Sequence, residues 1–211
     1  MERKLQCRKL DMSCYPRKAH FQYFCSMAYP YAGMTVNVDV TKLAERAKAA
    51  KESFFLHMLY AAGNAANQVQ SFRQRIVENE IWEYDACKTS HTVLKPDDTY
   101  AYCQADPVLP FPQFLRETAT RQTAVRENGG LDEVEDPLAY YFISCVPWIS
   151  YTDVTQPVSN PPDSNPRIVW GKYFWQGARL LMPVTVLVHH ALVDGRQIAD
   201  FYEALDVQIQ K

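Results

Sequence analysis

The sequence predicts an α+β fold: a single two-layer domain with a large mixed β-sheet and helices packed on it. Three observations carry this. The chain has 211 residues, 47% of them apolar and 22% charged, which suits one domain with a substantial core. Apolar residues alternate in some stretches and recur every three or four positions in others, so strands and helices are mixed. Near the C-terminal end, "RLLMPVTVLVHH" (179–190) is apolar without alternation, the pattern of a strand covered on both faces.

The elements follow in order. "TVNVDV" at 35–40 alternates and reads as a half-buried strand, and Thr41 is placed to cap the helix "KLAERAKAAK" behind it. A second helix runs from about Ser53 to Val69. Its Phe54, Phe55, Met58, Leu59, Ala62, Ala65 and Ala66 recur at helical spacing and mark it as a core helix. "IWEY" and "HTVL" read as short strands. Residues 112–127 form a helix opened by Pro112 and ended by "NGG". "YYFISCVPWISYTDV" is aromatic and β-rich, and "QPVSNPPDSNP" is a loop, because its four prolines do not fit a central strand. "RIVWGKYFW" and "RLLMPVTVLVHH" read as two strands joined by the turn "QGA". A helix over 196–205 closes the pattern with Ile198, Phe201, Tyr202 and Leu205 on one face. No repeat divides the chain, and too little follows the proline-rich loop to build a second core, so residues 1–211 are read as one domain.

Composition narrows the functional classes. Net charge is −2 and Lys and Arg are scattered, so no basic face for nucleic acid is expected. No apolar run is long enough to span a bilayer, and the charged N-terminus lacks the apolar core of a signal peptide. The six cysteines have no C-x-x-C spacing. They are expected to be free thiols in a cytoplasmic protein, with no metal bound.

The stretch that invites chemistry is "HHALVDG" at 189–195. A strand ending in two histidines and turning through Asp-Gly sets polar groups at the edge of a core. Imidazole is the natural base for a hydroxyl proton near neutral pH. Read alone, the motif leaves three roles open: a base with its support, a metal site using His189, His190 and Asp194 with His57 or His91, or the end of a core strand. Adjacent strand residues face opposite ways, which argues against a metal held by both histidines. Gly195 is expected to supply a backbone angle that other residues resist.

The pattern H-H-x-x-x-D-G, preceded by "GKY" and "LLMPVTVLV", resembles the chloramphenicol acetyltransferase family, type A. "YPRKAHF" at 15–21 looks like that family's N-terminal signature. "VDVT" at 38–41, "FRQRI" at 72–76, "TVL" at 92–94, "TY" at 99–100 and "FISCVPWISYTD" at 142–153 are similar to its further blocks, in the same order. The likeness covers roughly residues 10–205 and implies a coenzyme A-dependent acyltransferase fold.

The resemblance implies an acetyl-CoA-dependent O-acetyltransferase acting on chloramphenicol, hence antibiotic resistance. It makes His190 the general base and Ser144 the donor to the tetrahedral oxyanion. Asp194 and Arg17 become a buried ion pair that aims the base, and His189 and His20 become packing residues. It implies direct transfer, so Cys145 is not expected to be a nucleophile. Lys172, Tyr173 and Trp148 fall at acetyl-CoA-contacting positions, and Phe24, Tyr100 and Tyr140 at acceptor-binding ones. The assembly implied is a homotrimer with active sites between subunits. Phe24, Ala28, Val169 and Ser53 depart from the family pattern and put the acceptor and the efficiency in question. Rival readings are the same chemistry on another small acceptor, and a non-catalytic module that binds an apolar ligand.

Overall fold

A computed structural model describes residues 5–131 and 136–211; residues 1–4 and 132–135, which fall within the expected single domain, lie outside the description. The elements are β1 (Cys7–Lys9), α1 (Lys18–Cys25), β2 (Tyr31–Asp39), α2 (Thr41–Ala50), α3 (Phe54–Gln68), β3 (Gln74–Val77), β4 (Glu80–Tyr84), β5 (Lys88–Leu94), β6 (Tyr100–Ala105), α4 (Phe111–Asn128), β7 (Tyr140–Val146), β8 (Arg167–Gly171), β9 (Phe174–Gln176), β10 (Arg179–His189) and α5 (Gly195–Gln210). Two sheets result. The small one has the order β1-β4-β3. The large one runs β2-β10-β8-β7-β5-β6, with β9 also on β10. Pairs β5–β7 and β7–β8 are parallel and the rest antiparallel, so the large sheet is mixed, as the sequence predicts.

The uninterrupted apolar run of β10 explains its place. It is flanked by β2 on one side and by β8 and β9 on the other. Val184, Val186 and Val188 share a face with Ile168 and Trp170 of β8 and Tyr141 and Ile143 of β7, all within the main core. Helix α3 covers this face, with Phe55 packed on Trp170 at 5.5 Å between ring centroids. Behind it, Phe72 and Phe201 of α5 stack at 5.4 Å. The opposite face carries two rungs that matter below. Thr185, Val169 and Ser144 lie side by side on β10, β8 and β7, and Leu187, Arg167 and Phe142 form the next rung. Among the described residues no helix is long and apolar enough to cross a membrane.

Several expectations change. Thr41 does not cap α2 but is its first residue: its N–H and hydroxyl both bond Asp39 Oδ1, at 3.0 and 2.6 Å. The hydroxyl also accepts from Leu180 N at 2.8 Å, tying the helix to the start of β10. Ser53 does cap a helix: its Oγ accepts from Leu56 N of α3. "RIVWGKYFW" is not one strand; it breaks at Lys172 and Tyr173, and "QGA" joins only β9 to β10. The N-terminal signature holds a helix, α1, and His20 is exposed on it rather than packed.

Burial also sets an acid limit. His91 on β5 lies between Phe55 and Gln122 of α4, and desolvation lowers its pKa from 6.5 to about 3. Desolvation likewise lowers His189 to about 4, with the His190 charge adding to the effect and Asp163 opposing it. Both rings fold neutral, while the unfolded chain takes up protons below pH 6.5. Stability is therefore whole above pH 6.5 and falls as pH drops toward 4, at up to about 1.4 kcal/mol per pH unit for each histidine. Urea midpoints measured from pH 7 to pH 4 should decline well above the carboxylate range. A flat profile between pH 7 and 5 contradicts neutral burial.

Candidate active site

His190 is the first residue beyond β10, where the central strand turns out of the sheet. The turn is tight: Leu192 N and Val193 N both donate to His189 O, at 3.0 and 3.1 Å. His190 is held from several directions. Its backbone N–H donates to Pro30 O at 2.7 Å, and its carbonyl accepts from Arg17 Nη2 at 3.2 Å. Phe24 stacks on its ring at 4.0 Å. Its Nδ1 lies 2.9 Å from Val193 O. A carbonyl can only accept, so Nδ1 carries the hydrogen, and in the neutral ring the lone pair is then on Nε2. A histidine in this tautomer presents an acceptor nitrogen to whatever lies beyond the turn.

Asp194 and Gly195 complete the turn in ways the sequence only partly foretells. Asp194 caps α5: its Oδ1 accepts from Gly195 N at 2.7 Å, while Gln197 returns a bond to the Asp194 N–H at 3.0 Å. Its Oδ2 meets Arg17 Nη1 at 3.2 Å. The Gly195 N–H and then Arg17 hold the carboxyl below its usual pKa range. The pair is not buried, however. The Asp194 side chain is 46% exposed, so the bridge contributes on the order of 0–1 kcal/mol rather than several. Gly195 needs no special backbone angle either. It begins a helix, and a Cβ there would meet only Met34 Cε at an ordinary 3.5 Å. His189 is buried, with its ring edge-on to Tyr31 at 5.7 Å and its Nδ1 accepting from Ala191 N at 3.3 Å.

Ser144 sits on β7, half-buried, with its Oγ 3.5 Å from Thr92 Oγ1 on β5. Thr92 belongs to "HTVL", but nothing in the sequence alone ties it to Ser144; the strand order does. The next residue, Cys145, has its thiol pushed up to about 12 by burial, leaving almost no thiolate at neutral pH. One chain does not bring Ser144 and His190 together. They are two strands apart and five residues along the register, about 19 Å by strand geometry. Tyr100 lies farther still, exposed on the edge strand β6 against Tyr102, and Tyr140 begins β7 four residues before Ser144.

Lys172, Tyr173 and Trp148 do come together, at the break between β8 and β9. Lys172 N donates to Ile149 O at 2.8 Å, so the segment carrying Trp148 runs beside the one carrying Tyr173. Phe54 meets Tyr173 edge-on at 5.4 Å. Tyr173 and Trp148 are both exposed. Gly171 permits this approach. A Cβ there would lie 2.7 Å from Ile149 O and 2.8 Å from the Tyr151 ring. Gly171→Ala should therefore destabilise the protein by about 1–3 kcal/mol, read from denaturant unfolding. An unchanged midpoint contradicts the close packing.

The arrangement has relatives. The fold matches the cubic core of the pyruvate dehydrogenase multienzyme complex with a TM-score of 0.65 at 19% identity, over 90% of this chain and 86% of that one. A solved chloramphenicol acetyltransferase superposes with a TM-score of 0.87 at 26% identity, over 97% of this chain and all of the other. This likeness places the chain among the acyltransferases. The family model for chloramphenicol acetyltransferase matches residues 5–206. An Escherichia coli chloramphenicol acetyltransferase is 28% identical over 207 residues, 92% of this chain and 90% of its own. The chain belongs to the chloramphenicol acetyltransferase family.

Proposed function

We propose that this protein transfers the acetyl group of acetyl-CoA directly to a hydroxyl of chloramphenicol, with His190 as general base. One observation carries the reading: the Nδ1–H···O bond to Val193, which leaves Nε2 as an acceptor at the end of the central strand. Nε2 takes the hydroxyl proton as the oxygen attacks the thioester carbonyl. The Ser144 hydroxyl donates to the resulting oxyanion, where a preorganised donor lowers the barrier by a few kcal/mol. Collapse breaks the carbon–sulfur bond, and the departing thiolate takes the proton back from the imidazolium. Arg17 and Asp194 hold the turn. Lys172, Tyr173 and Trp148 bind acetyl-CoA, and Phe24, Tyr100 and Tyr140 bind the acceptor. No metal takes part.

The separation of Ser144 from His190 within one chain supports an assembly in which a neighbour's Ser144 faces His190, and the assembly proposed is a homotrimer. The role follows as antibiotic resistance in the cytoplasm. The test is release of free thiol from acetyl-CoA with chloramphenicol and purified protein. Release supports the reading. Release only with other hydroxyl compounds moves the acceptor and makes Phe24 and Val169, which lack hydroxyls, the first residues to vary. Drug binding with no release from any acceptor identifies a non-catalytic binder.

A further inference from the structure

The geometry points to Asp163 and Arg167, which no motif singles out, as the buried positioning pair of the base. The inference rests on the reading of His190 as that base. Arg167, at the start of β8, grips Asp163 with both terminal nitrogens, Nη1 to Oδ1 at 2.9 Å and Nη2 to Oδ2 at 2.5 Å. Its side chain is 9% exposed and that of Asp163 17%, against 21% for Arg17 and 46% for Asp194. A bidentate pair in low dielectric fixes direction far better than a single bond at the surface. The guanidinium lies between two rings, 5.4 Å from the Phe142 centroid and 5.9 Å from that of Tyr31.

Tyr31 carries the connection to the base. Its hydroxyl donates to Asp163 O at 2.7 Å, and its ring meets His189 edge-on. Tyr31 and His189 form the last rung of the β2–β10 pairing, and the residue before Tyr31, Pro30, supplies the carbonyl that holds His190 N. The pair thus anchors the strand end that holds the His190 N–H, while Arg17 holds the His190 carbonyl. Arg17 and Asp194 brace the turn from solvent; Asp163 and Arg167 brace it from within the protein.

Histidine side-chain NMR on labelled protein tests this, with the His190 signals identified by their loss in His190→Gln. Two variants are compared with wild type. Tyr31→Phe removes only the hydroxyl. Asp163→Leu with Arg167→Met removes both charges, so neither is stranded, and the fold is expected to survive. In both, the His190 ring signals should shift or broaden while those of exposed His20 stay in place. Turnover should fall about ten- to a hundredfold with the KM for acetyl-CoA unchanged. A merely structural pair would lower Tm and leave the His190 signals where they are, which overturns the inference. If the double variant does not fold, Tyr31→Phe decides. Wild-type protein that releases no thiol with any acceptor sinks the proposed function instead, and the ring signals still decide the positioning.

Discussion

Replacing His190 by glutamine should lower kcat by about 10²–10⁴-fold, the usual worth of a positioned general base. Glutamine keeps much of the size and polarity of the ring but cannot accept the proton. The KM for acetyl-CoA should move little, because the residues proposed to bind it gather around Lys172 and Tyr173, where β8 breaks and not where β10 ends. The fold should persist as well: His190 is only half-buried, and its backbone bonds to Pro30 and Arg17 do not depend on the side chain. Steady-state kinetics by thiol release, with Tm measured alongside, check both parts. Turnover within threefold of wild type would remove His190 from the mechanism.

Ser144→Ala is the second large effect. If the Ser144 hydroxyl donates to the oxyanion, its loss should reduce kcat about 10²–10³-fold. The cost to stability should be small, since its contact with Thr92 is long at 3.5 Å. Ser144 and His190 are proposed to meet across subunits, so the two variants offer a sharper test. His190→Gln and Ser144→Ala proteins are each nearly inactive alone. Dissociated together and reassembled, they should form some sites that combine an intact His190 with an intact Ser144, and partial activity should return. Mixed assemblies with no recovery would mean that the two residues do not share a site between chains.

The parts of the fold that were legible in the sequence were those whose physics is local. The apolar run of β10 suits a covered strand and the three-four spacing from Phe54 to Ala66 suits a core helix, and both form. Helix α1 was hidden because only Phe21 on it is buried, which leaves no periodicity to read. The break at Lys172 and Tyr173 was hidden because both residues suit a strand, and the interruption comes from Ile149 packing over Gly171. In the site, the Arg17–Asp194 pairing followed from the family resemblance, but its exposure did not. No residue pattern tells whether a bridge between distant segments faces water. Asp163 and Arg167 escaped notice because "PDSNPR" reads as a proline-rich loop running into a strand. Val193 acts through its carbonyl, which no sequence distinguishes.

The position of β10 has a consequence for how the protein comes into being. Its partners are β2, whose pairs with it run from Asp39–Leu181 to Tyr31–His189, and β8 and β9, which are made shortly before it. Until β10 emerges during synthesis, β2 has no partner in the large sheet, and the four strands β8-β7-β5-β6 end in a bare edge at β8. Such long-range closure is slow, and open edges invite pairing with other chains. The strand that seals the gap is also the one that delivers His190. The nascent chain passes through an aggregation-prone interval that ends with the arrival of its last strand, and the base takes its place only as that interval closes.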